Sequence, residues 1–196
     1  CAELTALRRA AAPGFEKAVE TELADLAMDK TRVVVDIQPV EPGPSGADAV
    51  EFLISPNPGE PVKPLAKIAS GGEMSRIMLA LKSIISGAEV PTLIFDEIDT
   101  GIGGRTAQVL GEKLASLAER CQVMCVTHLP QIASRAATHY AVEKNVVDGR
   151  SSISVNVLEG EERVAELARM LGGEETSETA ARHAREMLAL ANRRNS

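Results

Sequence analysis

Apolar residues recur along this chain with two different periods, and a change of period marks a change of secondary structure. Phe15, Val19, Leu23 and Leu26 fall at helical spacing with Glu and Asp between them, so an amphipathic helix is expected over Gly14 to Met28, after a break at Pro13-Gly14. Val33-Val34-Val35 and Ala49 to Ile54 read as two strands joined by the Pro- and Gly-rich stretch Pro42 to Gly46, and a second loop carries Pro56, Pro58, Pro61 and Pro64. From there strand and helix alternate: helix Glu73 to Ser86 closed by Gly87, strand Thr92 to Phe95, helix Gly104 to Glu119, strand Val123 to Val126, and a short helix opened by Pro130. That alternation implies a parallel, covered sheet.

Tyr140 to Val147 and Ser152 to Val157 flank Asp148-Gly149, a strong hairpin signal. Two helices close the chain, Glu162 to Leu171 ending at Gly172-Gly173 and Glu178 to Asn192 behind Ser177 as N-cap. The fold class is therefore α/β, a parallel sheet flanked by helices with an antiparallel β appendage.

Composition narrows the range of partners. The 196 residues are 44% hydrophobic and 25% charged, the balance of a globular protein. The longest apolar run, Ile77 to Ile85, is interrupted by Lys82-Ser83 and falls short of the ~20 residues a membrane span needs. With no leader pattern at the start, a cytoplasmic location away from any membrane is expected. Twenty-one Lys and Arg against 28 Asp and Glu give a net charge of −7, the wrong sign for a surface that grips nucleic acid throughout. Aromatics are 2%, namely Phe15, Phe52, Phe95 and Tyr140, which leaves almost no base-stacking platform. Cys1, Cys121 and Cys125 fit neither a disulfide framework nor a zinc site and read as plain thiols. A start at Cys rather than Met suggests a piece of something longer.

Three stretches carry chemistry. Leu93-Ile94-Phe95-Asp96-Glu97 is a buried-type strand ending in two acids, which places them at the carboxyl edge of a sheet, where α/β proteins bind ligands. Asp96 suits Mg²⁺, and Glu97 can orient and deprotonate an attacking water, although both also serve as ordinary strand-end carboxylates. Ala69-Ser70-Gly71-Gly72-Glu73 opens an apolar helix, and its glycines and unpaired N–H groups form a ready anion site. Ser70 and Glu73 equally match the S-x-x-E capping box, which needs no ligand. Val123-Met124-Cys125-Val126-Thr127-His128 is a second apolar strand with a polar end, where an imidazole can donate to phosphate. His139 and His183 lack such a context and read as structural.

In this order, a Ser-Gly-Gly-Glu helix start, an apolar strand with Asp-Glu, Asp99-Thr100-Gly101, and a strand ending in Thr-His, the chain resembles the second half of an ABC-type ATPase head. The resemblance implies that Ser70, Gly71, Gly72 and Glu73 form the signature motif, Asp96 is the Walker B magnesium residue, Glu97 the catalytic carboxylate, Asp99 the D-loop residue and His128 the switch histidine. Transporter signatures usually end in Gln; Glu73, followed by Met74-Ser75-Arg76, points instead to the SMC-like branch of chromosome maintenance and DNA repair. Pro64-Leu65-Ala66, Phe95 to Gly104, and Val126-Thr127-His128-Leu129-Pro130-Gln131-Ile132-Ala133 resemble a bacterial DNA-repair member of that branch, and the likeness runs from about Gly14 to Leu171. Ala69 preceded by Ile68 departs from the usual Leu at the first signature position.

No G-x-x-x-x-G-K-[ST] phosphate loop occurs, and Gly111-Glu112-Lys113 lacks the glycine loop before it. The resemblance implies a split head, with residues 1–30 the end of a coiled-coil arm, 31–196 the C-terminal ATPase lobe, and the P-loop lobe elsewhere in the same protein. Expected partners are that lobe, a second head, ATP with Mg²⁺, and DNA, the last by resemblance alone. Two other functions fit the sequence: a non-hydrolysing dimerisation or docking head, and a transporter nucleotide-binding subunit.

Overall fold

A computed structural model describes residues 1–68, 70–85, 90–147, 150–173 and 177–194. The Gly87 stop, the Asp148-Gly149 turn and Ala69 lie outside the described residues. The chain divides into two compact units, 1–102 with 116–126 and 103–115 with 127–196.

The first unit begins with α1 (Ala2–Ala24), which runs straight through the break expected at Pro13-Gly14. Pro13 is exposed and costs the helix one N–H bond, while helix-favouring alanines precede it and the N-terminal half is tied down. Thr5 donates to Asp48 at 2.8 and 2.9 Å, and Arg8 donates to the same carboxylate at 3.0 Å. The helix also stops earlier than expected: Leu26 and Met28 sit in a turn whose N–H groups both donate to Leu23 O, with Ala27 at φ 59°. They remain core residues all the same, at 0% and 7% exposure.

An antiparallel sheet in the order β1-β2-β3 follows, with β1 at Arg32–Gly43, β2 at Gly46–Ser55 and β3 at Lys63–Pro64. The strands extend into the loop expected at Pro42 to Gly46, which shrinks to two residues; Pro39 and Pro42 are tolerated because β1 is an edge strand. That edge is covered by α1, where Glu20 accepts from Val33 N–H at 2.9 Å and Glu16 from Val35 N–H at 2.8 Å. A free strand edge is thereby closed by side chains.

Helix α2 (Gly71–Ile84) packs against α1, and Val19, Leu23, Ile77 and Leu79 are fully buried in this unit. β4 (Thr92–Phe95) and β5 (Gln122–Cys125) pair in parallel, with Phe95 opposite Cys125, as the alternation of strand and helix predicted. Their two faces differ: Phe95 is 4% exposed, whereas Ile94 is 70% and Met124 51% exposed on the other face.

The second unit contains most of α3 (Gly104–Ala118), then α4 (Pro130–Ala133), the antiparallel hairpin β6 (His139–Val147) and β7 (Arg150–Leu158), α5 (Gly160–Gly172) and α6 (Glu178–Arg194). Val164, Leu167 and Ala168 of α5 pack with Ala184 of α6 and Ala133 of α4. Gly173, at φ 79°, closes α5 by donating to Arg169 O at 2.8 Å, and Ser177 caps α6 by accepting from Ala180 N–H at 3.1 Å.

Candidate functional site

Ser70 is an extended residue at the N-cap of α2 and accepts from Glu73 N–H at 3.4 Å, so half of the capping box is present. Gly71 and Gly72 form the first turn, where backbone N–H groups have no helical acceptor. Against this turn lies the loop that leaves β4. Asp96 and Glu97 are exposed, whereas Ile98 and Asp99 are buried. Thr100 N–H donates to Glu97 O at 3.0 Å, and Ile102 N–H to Asp99 O at 3.3 Å, which makes the loop a tight pair of turns.

The contact between helix start and loop is close. A Cβ on Gly72 would lie 2.9 Å from Glu97 O and 3.2 Å from the Thr100 Cβ; one on Gly71 would collide with the Glu97 carboxylate. Glu97 itself has φ 56°, a left-handed conformation that side chains rarely adopt and that tends to occur where function demands it. Asp96 accepts Glu97 N–H through Oδ1 at 2.9 Å, and its carbonyl accepts from Ser75 Oγ at 2.9 Å. Arg76, 8% exposed, donates from Nη1 to Ile98 O at 3.3 Å and Thr100 O at 3.0 Å.

Ser70, Gly71, Gly72, Glu73, Asp96, Glu97 and Asp99 therefore belong to one unit, where Asp96 and Glu97 are exposed and Asp99 is buried beneath them in the same loop. His128 belongs to the other unit, where it is exposed and follows Thr127, whose Oγ1 accepts from Leu129 N–H at 3.0 Å. Two side chains that tie the helix to the loop, Ser75 and Arg76, count in the sequence only as part of the family resemblance, with no structural role. The available signal was positional: Arg76 adjoins Ile77 on the apolar side of α2, where a charge has to find partners.

Burial pushes the Cys125 thiol up to about 12, and the negative charges of Asp99 and Asp96 push it the same way. Among the described residues no three His, Cys, Asp or Glu side chains are grouped to hold a metal. Mg²⁺ needs no such cage, because it binds through one or two carboxylates, phosphates and retained waters, a set that exposed Asp96 fits.

No family model matches the chain. It is 49% identical over 202 residues to DNA repair protein RecN of Streptomyces coelicolor, covering 96% of this chain and 35% of that protein. RecN of Halalkalibacterium halodurans is 46% identical over 196 residues, covering 97% and 35%. The chain thus spans about a third of the length of the curated relatives it matches. In fold it is similar to the Smc head domain with a coiled coil and joint from Pyrococcus yayanosii, with TM-score 0.53, 19% identity, and 78% of this chain and 28% of that one covered. Sequence and fold agree: over nearly its whole length the chain is RecN-like, and its α/β fold is similar to that of an Smc head domain.

Proposed function

We propose that this chain is the C-terminal lobe of an ATPase head in a RecN-like protein of DNA double-strand break repair. In this reading residues 1–30 end a coiled-coil arm, 31–196 form the lobe, and a P-loop lobe of the same protein completes the head. The carrying observation is the packing of the Ser70–Gly72 helix start on the Asp96–Thr100 loop, which joins an anion-binding end to two exposed carboxylates. The uncovered face of β4 and β5 supports a further lobe, since parallel strands are ordinarily buried on both faces.

Two heads would close around ATP. Ser70 Oγ–H and the N–H groups of Gly71 and Gly72 would meet the γ-phosphate held by the partner head, where the helix N-terminus favours negative charge. Asp96 would hold Mg²⁺, which when bound would supply neutralisation of phosphate charge. A Glu97 carboxylate oxygen accepts the proton of the attacking water, and His128 donates to a phosphate oxygen. Asp99 holds the loop between the heads. Because this chain lacks a P-loop motif, ATP turnover is assigned to the full-length protein and little is expected of the chain by itself. DNA is the partner of the whole protein by its likeness to RecN, and among the described residues no helix is long and apolar enough to cross a membrane.

Ser70 separates a cap from a phosphate ligand. As a cap alone, Ser70→Ala costs about 0.5–2 kcal/mol of stability and leaves ATP-driven association intact. Ser70→Asp keeps a capping side chain but sets a negative charge against phosphate. In the full-length protein that variant is expected to unfold near the parent temperature and to lose ATP-dependent association in light scattering. An Asp variant that associates like the parent would leave Ser70 a cap and remove the helix from the site.

A further inference from the structure

Arginine on a helix normally carries its head group out to water along an apolar stem. Arg76 does the opposite. It stands one turn into α2 beside buried Ile77, and its guanidinium is turned into the loop after β4 with only 8% of the residue exposed. Burial lowers its pKa from the ordinary value and Glu73 raises it, but a guanidinium at neutral pH remains charged. Its Nε has no hydrogen-bond partner among the described residues. Burying that charge is costly, and an apolar residue of similar length would fill the same space without the cost. What the charge gains is two carbonyls, Ile98 O and Thr100 O, in a loop that has no ladder of strand hydrogen bonds to hold it.

These bonds complete a graded attachment of the loop to α2. Ser75 holds the Asp96 carbonyl, Gly72 permits contact at the Glu97 carbonyl, and Arg76 takes the carbonyls on either side of Asp99. The Arg76 Nη1 also lies 3.5 Å from where a Gly72 Cβ would stand, so the guanidinium fills the angle between helix start and loop. Charge-assisted bonds to carbonyls fix orientation better than apolar packing does, because they are directional as well as strong.

Resting on the function proposed above, we propose that Arg76 is a positioning residue for ATP hydrolysis, clamping the Asp96–Thr100 loop to the signature helix so that Ser70–Gly72 and the carboxylates move as one body. It acts through the loop carbonyls it holds. Its effect falls on the step that needs alignment, not on nucleotide binding, which the P-loop lobe would provide.

The test uses the full-length protein carrying Arg76→Met, Arg76→Lys or Glu97→Gln, with ATP turnover, KM for ATP and thermal unfolding measured on each. Misplacement of catalytic groups by about an ångström costs about 10²-fold in rate. Arg76→Met is therefore expected to lower kcat on that order with KM within about threefold of the parent. Arg76→Lys, which keeps the charge and reaches one carbonyl, is expected to recover part of the loss. If Met fails to fold, Lys carries the comparison alone, with reduced kcat and near-parent unfolding expected. A kcat per folded molecule equal to the parent's in the folded Arg76 variants overturns the clamp while leaving the reading of the site in place. Equal turnover by parent and Glu97→Gln overturns that reading, and the clamp with it.

Discussion

Gly71 and Gly72 adjoin in sequence but differ in what constrains them. The sequence offered one reason for both, the close approach of a ligand to the backbone. For Gly72 the structure supplies another, because its missing Cβ is what lets Glu97 O and Thr100 come as near as they do. Backbone oxygen cannot step aside as a side-chain tip can. Gly72→Ala is expected to destabilise the fold by about 1–3 kcal/mol, the usual cost of overpacking, whereas Gly71→Ala displaces only the tip of Glu97 and costs clearly less. Denaturant midpoints of the two variants check this, and equal midpoints would show that the helix start does not rest on the loop. Ser70 was legible as a cap from S-x-x-E and is one. For Arg76 the sequence offered only its place beside Ile77, a weak signal because Arg in a helical pattern ordinarily marks the solvent side.

At the scale of elements, the runs Leu93–Phe95 and Val123–Val126 were readable as neighbouring parallel strands because short apolar runs between helical patterns leave little else. The break at Pro13 was misread because propensity acts within one turn, while the bonds that hold α1 through it come from Asp48, forty or more residues away. The second unit shows another tertiary effect that sequence conceals. Arg163 of α5 donates from Nη2 to Ala133 O, Ser134 O and Ala136 O at 3.2, 3.3 and 2.6 Å, closing the carbonyl end of α4. His139 lies within its field: burial and then Arg163 lower the imidazole pKa, Glu166 opposes them, and Nδ1 is buried with no partner among the described residues. The folded pKa is therefore below the unfolded value of 6.5. As pH falls through 6.5 the unfolded chain takes up the proton first, so stability falls, and the loss is complete once pH is below the folded pKa. Unfolding free energies measured from pH 7.5 downward should show this slope in the parent and a reduced one in His139→Asn. An unchanged slope would assign the effect to other groups.

For the whole molecule, the two sides of the β4–β5 pair carry the most information. One is sealed by Phe95 at 4% exposure, and the other shows water Ile94, Met124 and, just beyond β5, Val126 at 62%. The chain covers about a third of its RecN relatives, and the phosphate loop that an ATPase head requires is not in it. Order of motifs brought the candidate residues together in the sequence, whereas the hold of α2 on the acidic loop needed the fold. In the proposed function Glu97 deprotonates water at a nucleotide shared between two heads. Steady-state ATP turnover by the full-length protein, compared with Glu97→Gln, tests it most directly. A fall of about 10²–10⁴-fold is expected, the range for loss of a general base, with ATP-dependent association retained; equal rates in the two proteins would contradict that role.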